Sequence, residues 1–118
     1  MPHTITKIFH FHAAHYLPYH EGVCNQLHGH TYKLEVTIKG RLNKGMVMDF
    51  SELKDIVNKA VIEKLDHKLL NEVFPNPTAE SMSVYIHEQL FEVFKERKET
   101  LLKVKLWETQ TSCAEYSR

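Results

Sequence analysis

The 118-residue chain has no run of about 18 apolar residues, so no segment reads as a membrane-spanning helix. Neither charge is in excess. Fifteen Lys+Arg balance fifteen Asp+Glu, which argues against the basic footprint of a nucleic-acid binder. Two cysteines are too few for a disulfide scaffold. The opening Met1-Pro2-His3-Thr4 lacks the charged-then-apolar layout of a signal peptide, so a soluble protein in a reduced, cytoplasmic setting is expected. Internal repeats, low-complexity stretches and Gly/Ser linkers are also missing, and residues 1–118 read as a single domain. Histidine, by contrast, is abundant: nine in this length exceed what packing alone suggests.

Alternation of apolar residues predicts a strand over Ile5–Tyr16, with Phe9, Phe11, Ala13 and His15 on one face and His10, His12 and Ala14 on the other. Leu17–Leu27 reads as a loop, and alternation returns over His28–Lys39, where Tyr32, Leu34, Val36 and Ile38 share a face. A turn at Gly40–Gly45 leads into an expected short strand, Met46–Phe50. Ser51 or Asp49 caps a first helix carrying Leu53, Ile56, Val57, Ala60, Val61 and Leu65 as one stripe. Asp66–Pro77 reads as irregular. Thr78 caps a second helix striped by Met82, Tyr85, Ile86, Leu90, Val93 and Phe94. The last strand, Leu101–Thr109, places Leu102, Val104, Leu106 and Glu108 on one face. The order β-β-β-α-α-β implies an α+β fold: an antiparallel four-stranded sheet with two helices on one face. The other face has nothing left to cover it, so sheet-to-sheet packing between copies of the chain is expected.

The densest chemical signal is Cys24-Asn25-Gln26-Leu27-His28-Gly29-His30. Histidines at i and i+2 of a strand project from one face and reach one ion together. His28 and His30 are in phase with Tyr32, Leu34 and Val36, and His15 is in phase with Phe9 and Phe11. Three imidazoles at the ends of apolar faces are costly as isolated polar groups. Converging on Zn²⁺ they are satisfied together, and the fourth tetrahedral position stays open, as in catalytic sites. The competing interpretation makes His28 and His30 hydrogen-bonded strand-end residues and His15 a core histidine. His3, His10, His12, His20 and His87 lack the phase relation, and His10 and His12 read as surface or interface residues.

Three further groups carry possible chemistry. Cys24 is a base or nucleophile if a nearby cation lowers its pKa; alternatively it is a fourth metal ligand or an inert thiol. Asp66-His67 suits a proton relay, a carboxylate fixing the imidazole tautomer, or is simply a helix-end histidine. Glu108, reading inward, suits a ring that displays an N–H beside an amino group, as a pterin or guanine does, unless it turns into solvent.

Phe11-His12-Ala13-Ala14-His15, Cys24-x-x-x-His28-Gly29-His30, Leu65-Asp66-His67-x-x-Leu69-Leu70-Asn71, Pro77-Thr78-Ala79-Glu80 and Trp107-Glu108-Thr109 together resemble the 6-pyruvoyl-tetrahydropterin synthase family, from about Ile8 to Thr109. The resemblance implies the tunnelling fold, in which small sheets close into a barrel with helices outside. It also implies a homohexamer of two trimers with sites shared between neighbouring subunits. It assigns His15, His28 and His30 as zinc ligands, Cys24 as general base, Asp66 and His67 as relay, and Glu108 as the pterin anchor. Thr78 resembles a substrate contact, although Ala79 stands where many relatives have a second threonine. The three-residue gap between Cys24 and His28 resembles the bacterial and archaeal 6-carboxytetrahydropterin synthases of queuosine biosynthesis. Those convert 7,8-dihydroneopterin triphosphate to 6-carboxytetrahydropterin, acetaldehyde and triphosphate. The alternatives are a pyruvoyl-forming relative that stops at triphosphate elimination, or a non-catalytic zinc-stabilised binding module.

Overall fold

The computed structural model describes residues 2–19 and 26–118, and Cys24 and His20 therefore lie outside the described residues. Two long strands, β1 (Pro2–His15) and β2 (His28–Arg41), pair antiparallel in continuous register from Pro2 opposite Arg41 to His15 opposite His28. Their alternation follows the expected period. Phe9, Phe11, Ala13 and His15 are buried on β1, as are Tyr32, Leu34, Val36 and Ile38 on β2, while His10 and His12 face outward.

Among the described residues the sheet has five strands where four were expected: a short β3 (Lys68–Leu69) lies beside β1, and β4 (Thr100–Trp107) and β5 (Cys113–Tyr116) follow β2, in the order β3-β1-β2-β4-β5. The anticipated third strand at Met46–Phe50 contracts to one bridge between Asn43 and Met46. Lys44 and Gly45 turn there with φ of 53° and 81°, as a tight hairpin turn requires. The chain then passes directly into α1 (Phe50–Val57), whose N-cap is Asp49. Two short strands were not anticipated. β3 (Lys68–Leu69) lies parallel to β1 beside Ala13 and Ala14, and β5 (Cys113–Tyr116) runs antiparallel to β4 (Thr100–Trp107). A further correction concerns β4. A bulge opposite Thr37 and Ile38 brings Leu101 rather than Leu102 into the core, and the expected alternation resumes at Val104.

The first helical segment is not uniform. After α1 the chain widens into a π-helical turn, Asn58–Ile62, before α2 (Glu63–Leu65), and Val57, Val61 and Leu65 all remain fully buried. Helix α3 (Ala79–Phe94) starts at Thr78, whose Oγ1 accepts the Ser81 N–H at 3.1 Å. Met82, Ile86, Leu90 and Phe94 on α3 pack with the α1–α2 stripe over the inner face of the sheet and make one core. Among the described residues, no helix is long and apolar enough to cross a membrane.

Candidate metal centre and relay dyad

The β1–β2 register explains how the histidines meet. His15 stands directly opposite His28, and His30 stands opposite Ala13, whose methyl leaves the space above it open. All three rings project from the core face at the end where the apolar residues run out. The His15 and His30 rings stack at 4.9 Å between centroids, and the His28 ring lies 6.5 Å from His15 and 6.1 Å from His30. A tetrahedral ion with Zn–N bonds of about 2.0–2.1 Å separates imidazole centroids by about 5 Å, which the His15–His30 pair matches, whereas the His28 ring stands more than 1 Å farther out than that.

Glu108, just past the end of β4, joins the group. Its Oε1 is 3.3 Å from His15 Nε2 and 3.5 Å from His30 Nε2. The backbone N–H of Glu108 donates to the Ser112 carbonyl at 3.0 Å, closing the β4–β5 turn and fixing where the carboxylate emerges. The ligand atoms of His15, His30 and Glu108 lie within 4.8 Å of one another.

Tyr32 holds His15 from behind. Its hydroxyl is 2.9 Å from His15 Nδ1, and both side chains are buried. With Nδ1 engaged, Nε2 is the nitrogen turned to Glu108 and to the meeting point. Burial is the main cause that pushes the His15 pKa below 6.5, and the neighbouring His30 and His28 add to it against the opposing pull of Glu108. A neutral ring with a free Nε2 lone pair is what a divalent cation needs, so the donor set fits a metal. Burial, reinforced by Glu108, raises the Tyr32 pKa, so its hydroxyl stays protonated. Asn71 anchors the end of β1. Its Oδ1 accepts the Tyr16 N–H at 3.0 Å, and its Nδ2 donates to the Tyr16 carbonyl at 2.9 Å.

Asp66 and His67 form a separate cluster on the outward side of β1. Asp66 Oδ2 lies 3.1 Å from His67 Nδ1, and Asp66 Oδ1 accepts the His12 N–H at 2.9 Å. The His67 N–H donates to the His12 carbonyl at 2.6 Å, which pins His67 at a left-handed φ of 59°. The His12 N–H is the largest cause holding the Asp66 carboxyl below its ordinary value. His67 is mostly exposed, and its ring is 5.8 Å from that of His12.

Of the residues singled out from the sequence, His15, His28, His30 and Glu108 are thus brought to one place, Asp66 and His67 to another, and Thr78 to the N-cap of α3. Sequence reasoning missed Tyr32 as the support of His15 and His12 as the clamp on Asp66. Tyr32 was accessible by phase, two residues beyond His30 on the same face. The role of His12 depends on its backbone groups, which leave no trace in residue type.

A family model described as 6-pyruvoyl tetrahydropterin synthase matches residues 4–118. The chain belongs to this family. It is 37% identical to the 6-carboxy-5,6,7,8-tetrahydropterin synthase of Haemophilus influenzae over 95% of this chain and 96% of that one. It is also 44% identical, over 68% of each chain, to the dihydroneopterin monophosphate aldolase of Pyrococcus furiosus. Among solved structures, the 6-pyruvoyl tetrahydropterin synthase of Caenorhabditis elegans superposes with a TM-score of 0.88 at 26% identity, covering all of this chain and 96% of that one. The α+β fold expected from the sequence is the fold of this family.

Proposed function

We propose that the protein is a zinc-dependent 6-carboxy-5,6,7,8-tetrahydropterin synthase, converting 7,8-dihydroneopterin triphosphate and one water to 6-carboxytetrahydropterin, acetaldehyde and triphosphate. The observation that carries this is the meeting of the His15 and His30 Nε2 atoms with the Glu108 carboxylate at one end of the core face. The likeness to the H. influenzae enzyme over nearly the full length of both chains supports the same product. His15, His28 and His30 would hold the ion, which when bound supplies Lewis acidity toward the substrate side-chain oxygens.

The chain's own residues divide the remaining work. Glu108 accepts two parallel hydrogen bonds from the ring N–H and amino group of the pterin, which orients the side chain toward the imidazoles. Cys24, four residues before His28, removes a side-chain proton as thiolate. His67, its tautomer set by Asp66, returns a proton elsewhere on the side chain. The sheet puts the relay dyad on the side away from the ligand cluster of the same chain. The dyad therefore serves the cluster of a neighbouring subunit, in a homohexamer of two trimers acting in the cytoplasm in queuosine biosynthesis. Thr78 contributes to substrate binding through a rearranged hydroxyl, since Oγ1 caps α3 and its carbonyl already accepts the Met82 N–H.

A second reading, retro-aldol cleavage of a monophosphate substrate, is favoured by the likeness to the P. furiosus aldolase. Mass analysis of the products from dihydroneopterin triphosphate and from dihydroneopterin monophosphate, with and without a chelator, tests both. Chelator-sensitive 6-carboxytetrahydropterin and acetaldehyde from the triphosphate support the proposal. Elimination without acetaldehyde replaces it with the pyruvoyl-forming activity, and turnover of the monophosphate alone replaces it with the aldolase.

A further inference from the structure

The far end of the β1–β2 pair, where Pro2 stands opposite Arg41, holds a cavity of its own. Its volume is about 520 Å³, within the range of small-molecule sites. Strands of 14 residues rising about 3.3 Å each put it about 40 Å from the His15–His28 end, so it is separate from the metal centre. Three cations line it: Lys39 and Arg41 of β2, and Lys98 of the segment leading into β4. Residues i and i+2 of a strand share a face, so Lys39 and Arg41 leave β2 on the same side. None of the three has an ion pair or a side-chain hydrogen bond among the described residues.

Among the described residues Glu99 is the one carboxylate that lines the cavity, and it is already matched. It is buried, and its Oε1 accepts from Arg97 Nε at 3.1 Å. Arg97 Nη2 reaches on to Glu52 Oε2 of α1 at 2.8 Å. These bonds tie the segment that carries Lys98 to α1, and they leave the three cations without an acid of their own. Gly40 shapes the wall between them. A Cβ there would come 3.1 Å from Val47 Cγ1 and 3.6 Å from Glu99 Cγ, so glycine lets both side chains pack close against β2. Leu42, Val47 and Leu102 add apolar surface to the lining, and Leu42 is half-exposed.

We propose that this cavity binds a small organic dianion, with Lys39, Arg41 and Lys98 donating to its anionic oxygens and its carbon skeleton lying on Leu42, Val47 and Leu102. Cations gathered without counter-charge repel one another, and an anion between them relieves that repulsion. Charge-assisted bonds to such oxygens are the strong ones, and the Arg41 guanidinium can make two in parallel. The apolar walls favour an organic body over a bare inorganic ion. A dicarboxylate and a phosphomonoester share this chemistry. The inference stands apart from the activity proposed above, because no residue of the metal centre or of the relay dyad lines the cavity.

The test is calorimetric titration at fixed ionic strength of isophthalate, a dicarboxylate, and of adenosine monophosphate, a phosphomonoester. Each is titrated into the protein as purified and into Arg41→Met, Lys98→Met, the double variant, Lys54→Met and Glu108→Gln. The expected result is that at least one probe binds the wild type and weakens about tenfold or more in the double variant. Its affinity is unchanged in Lys54→Met, which removes a cation outside the cavity, and in Glu108→Gln, which alters the other end of the molecule. Thermal midpoint and metal content of the double variant match the wild type. Failure of both probes to bind overturns the site, as does equal affinity in the double variant. An equal loss in Lys54→Met would reduce the effect to general surface charge and overturn it too. Binding lost in Glu108→Gln but kept in the double variant would place the probe at the metal centre instead.

Discussion

At the scale of single residues, the site depends on how each imidazole is held. His15 is pinned at Nδ1 by Tyr32, and His67 is pinned at Nδ1 by Asp66, so each is left with Nε2 for chemistry. The proposed division of labour makes Cys24 separable from the metal: Cys24→Ala retains zinc by elemental analysis and loses turnover by about 10² or more, the scale of a missing acid–base group. Zinc loss in that variant would instead mark Cys24 as a ligand, and full activity would remove it from the mechanism. His87 sets a different expectation. Its side chain is fully buried on α3, and neither ring nitrogen has a hydrogen-bond partner among the described residues; Tyr116 packs edge-on against it at 5.1 Å. Burial is the main cause holding its folded-state pKa below 6.5, with Glu88 opposing and Arg118 adding to the effect. The unfolded chain therefore takes up this proton more readily. The stability contributed is complete above pH 6.5 and is lost as pH falls through the window down to the lower folded value. Urea unfolding of the metal-stripped protein between pH 7.5 and 5 should show a weaker pH dependence in His87→Leu than in wild type. Parallel curves would contradict it.

At the scale of elements, the periodic segments were legible because one-face burial dictates them. The β1 and β2 alternation and the Leu53–Leu65 and Met82–Phe94 stripes all appear where their periods place them. What escaped was whatever periodicity does not encode. Met46, Met48 and Phe50 alternate like a strand, yet the Lys44-Gly45 turn and the Asp49 cap commit them to a bridge and a helix start. Two-residue β3 is too short to carry a period, and the β4 bulge moves Leu101 inward by a backbone irregularity that residue types do not announce. Likewise, phase alone brought His15, His28 and His30 together on paper, whereas the approach of Glu108 to two of them depends on the β4–β5 turn. Thr78 is a test at this scale, since its hydroxyl caps α3. Thr78→Ala should lower unfolding free energy by about 1 kcal/mol, and Thr78→Ser should restore most of it. A stable Thr78→Ala with impaired substrate affinity would shift the weight from capping to binding.

At the scale of the molecule, the single chain is elongated. Its radius of gyration is 15.1 Å and its extents are 51 × 24 × 21 Å, against about 13.5 Å for a compact domain of this length. Only Ala13 and Ala14 of β1 pair with β3, so the rest of that edge is free among the described residues, and β5 forms the opposite edge. Helices cover one face of the sheet only, and exposed edges and faces of this kind favour association. With the proposed homohexamer, sedimentation should give a species six times the 13.9 kDa chain mass, and a monomer at working concentration would contradict the shared-site account. The claim on which everything else depends is an open three-imidazole centre in that assembly. X-ray absorption at the zinc edge of the purified protein tests it most directly. The account predicts nitrogen scatterers at about 2.0–2.1 Å with an imidazole pattern, one further light atom, and no sulfur at about 2.3 Å. A sulfur shell in the resting protein, or a chain that purifies fully folded and active without metal, would contradict it.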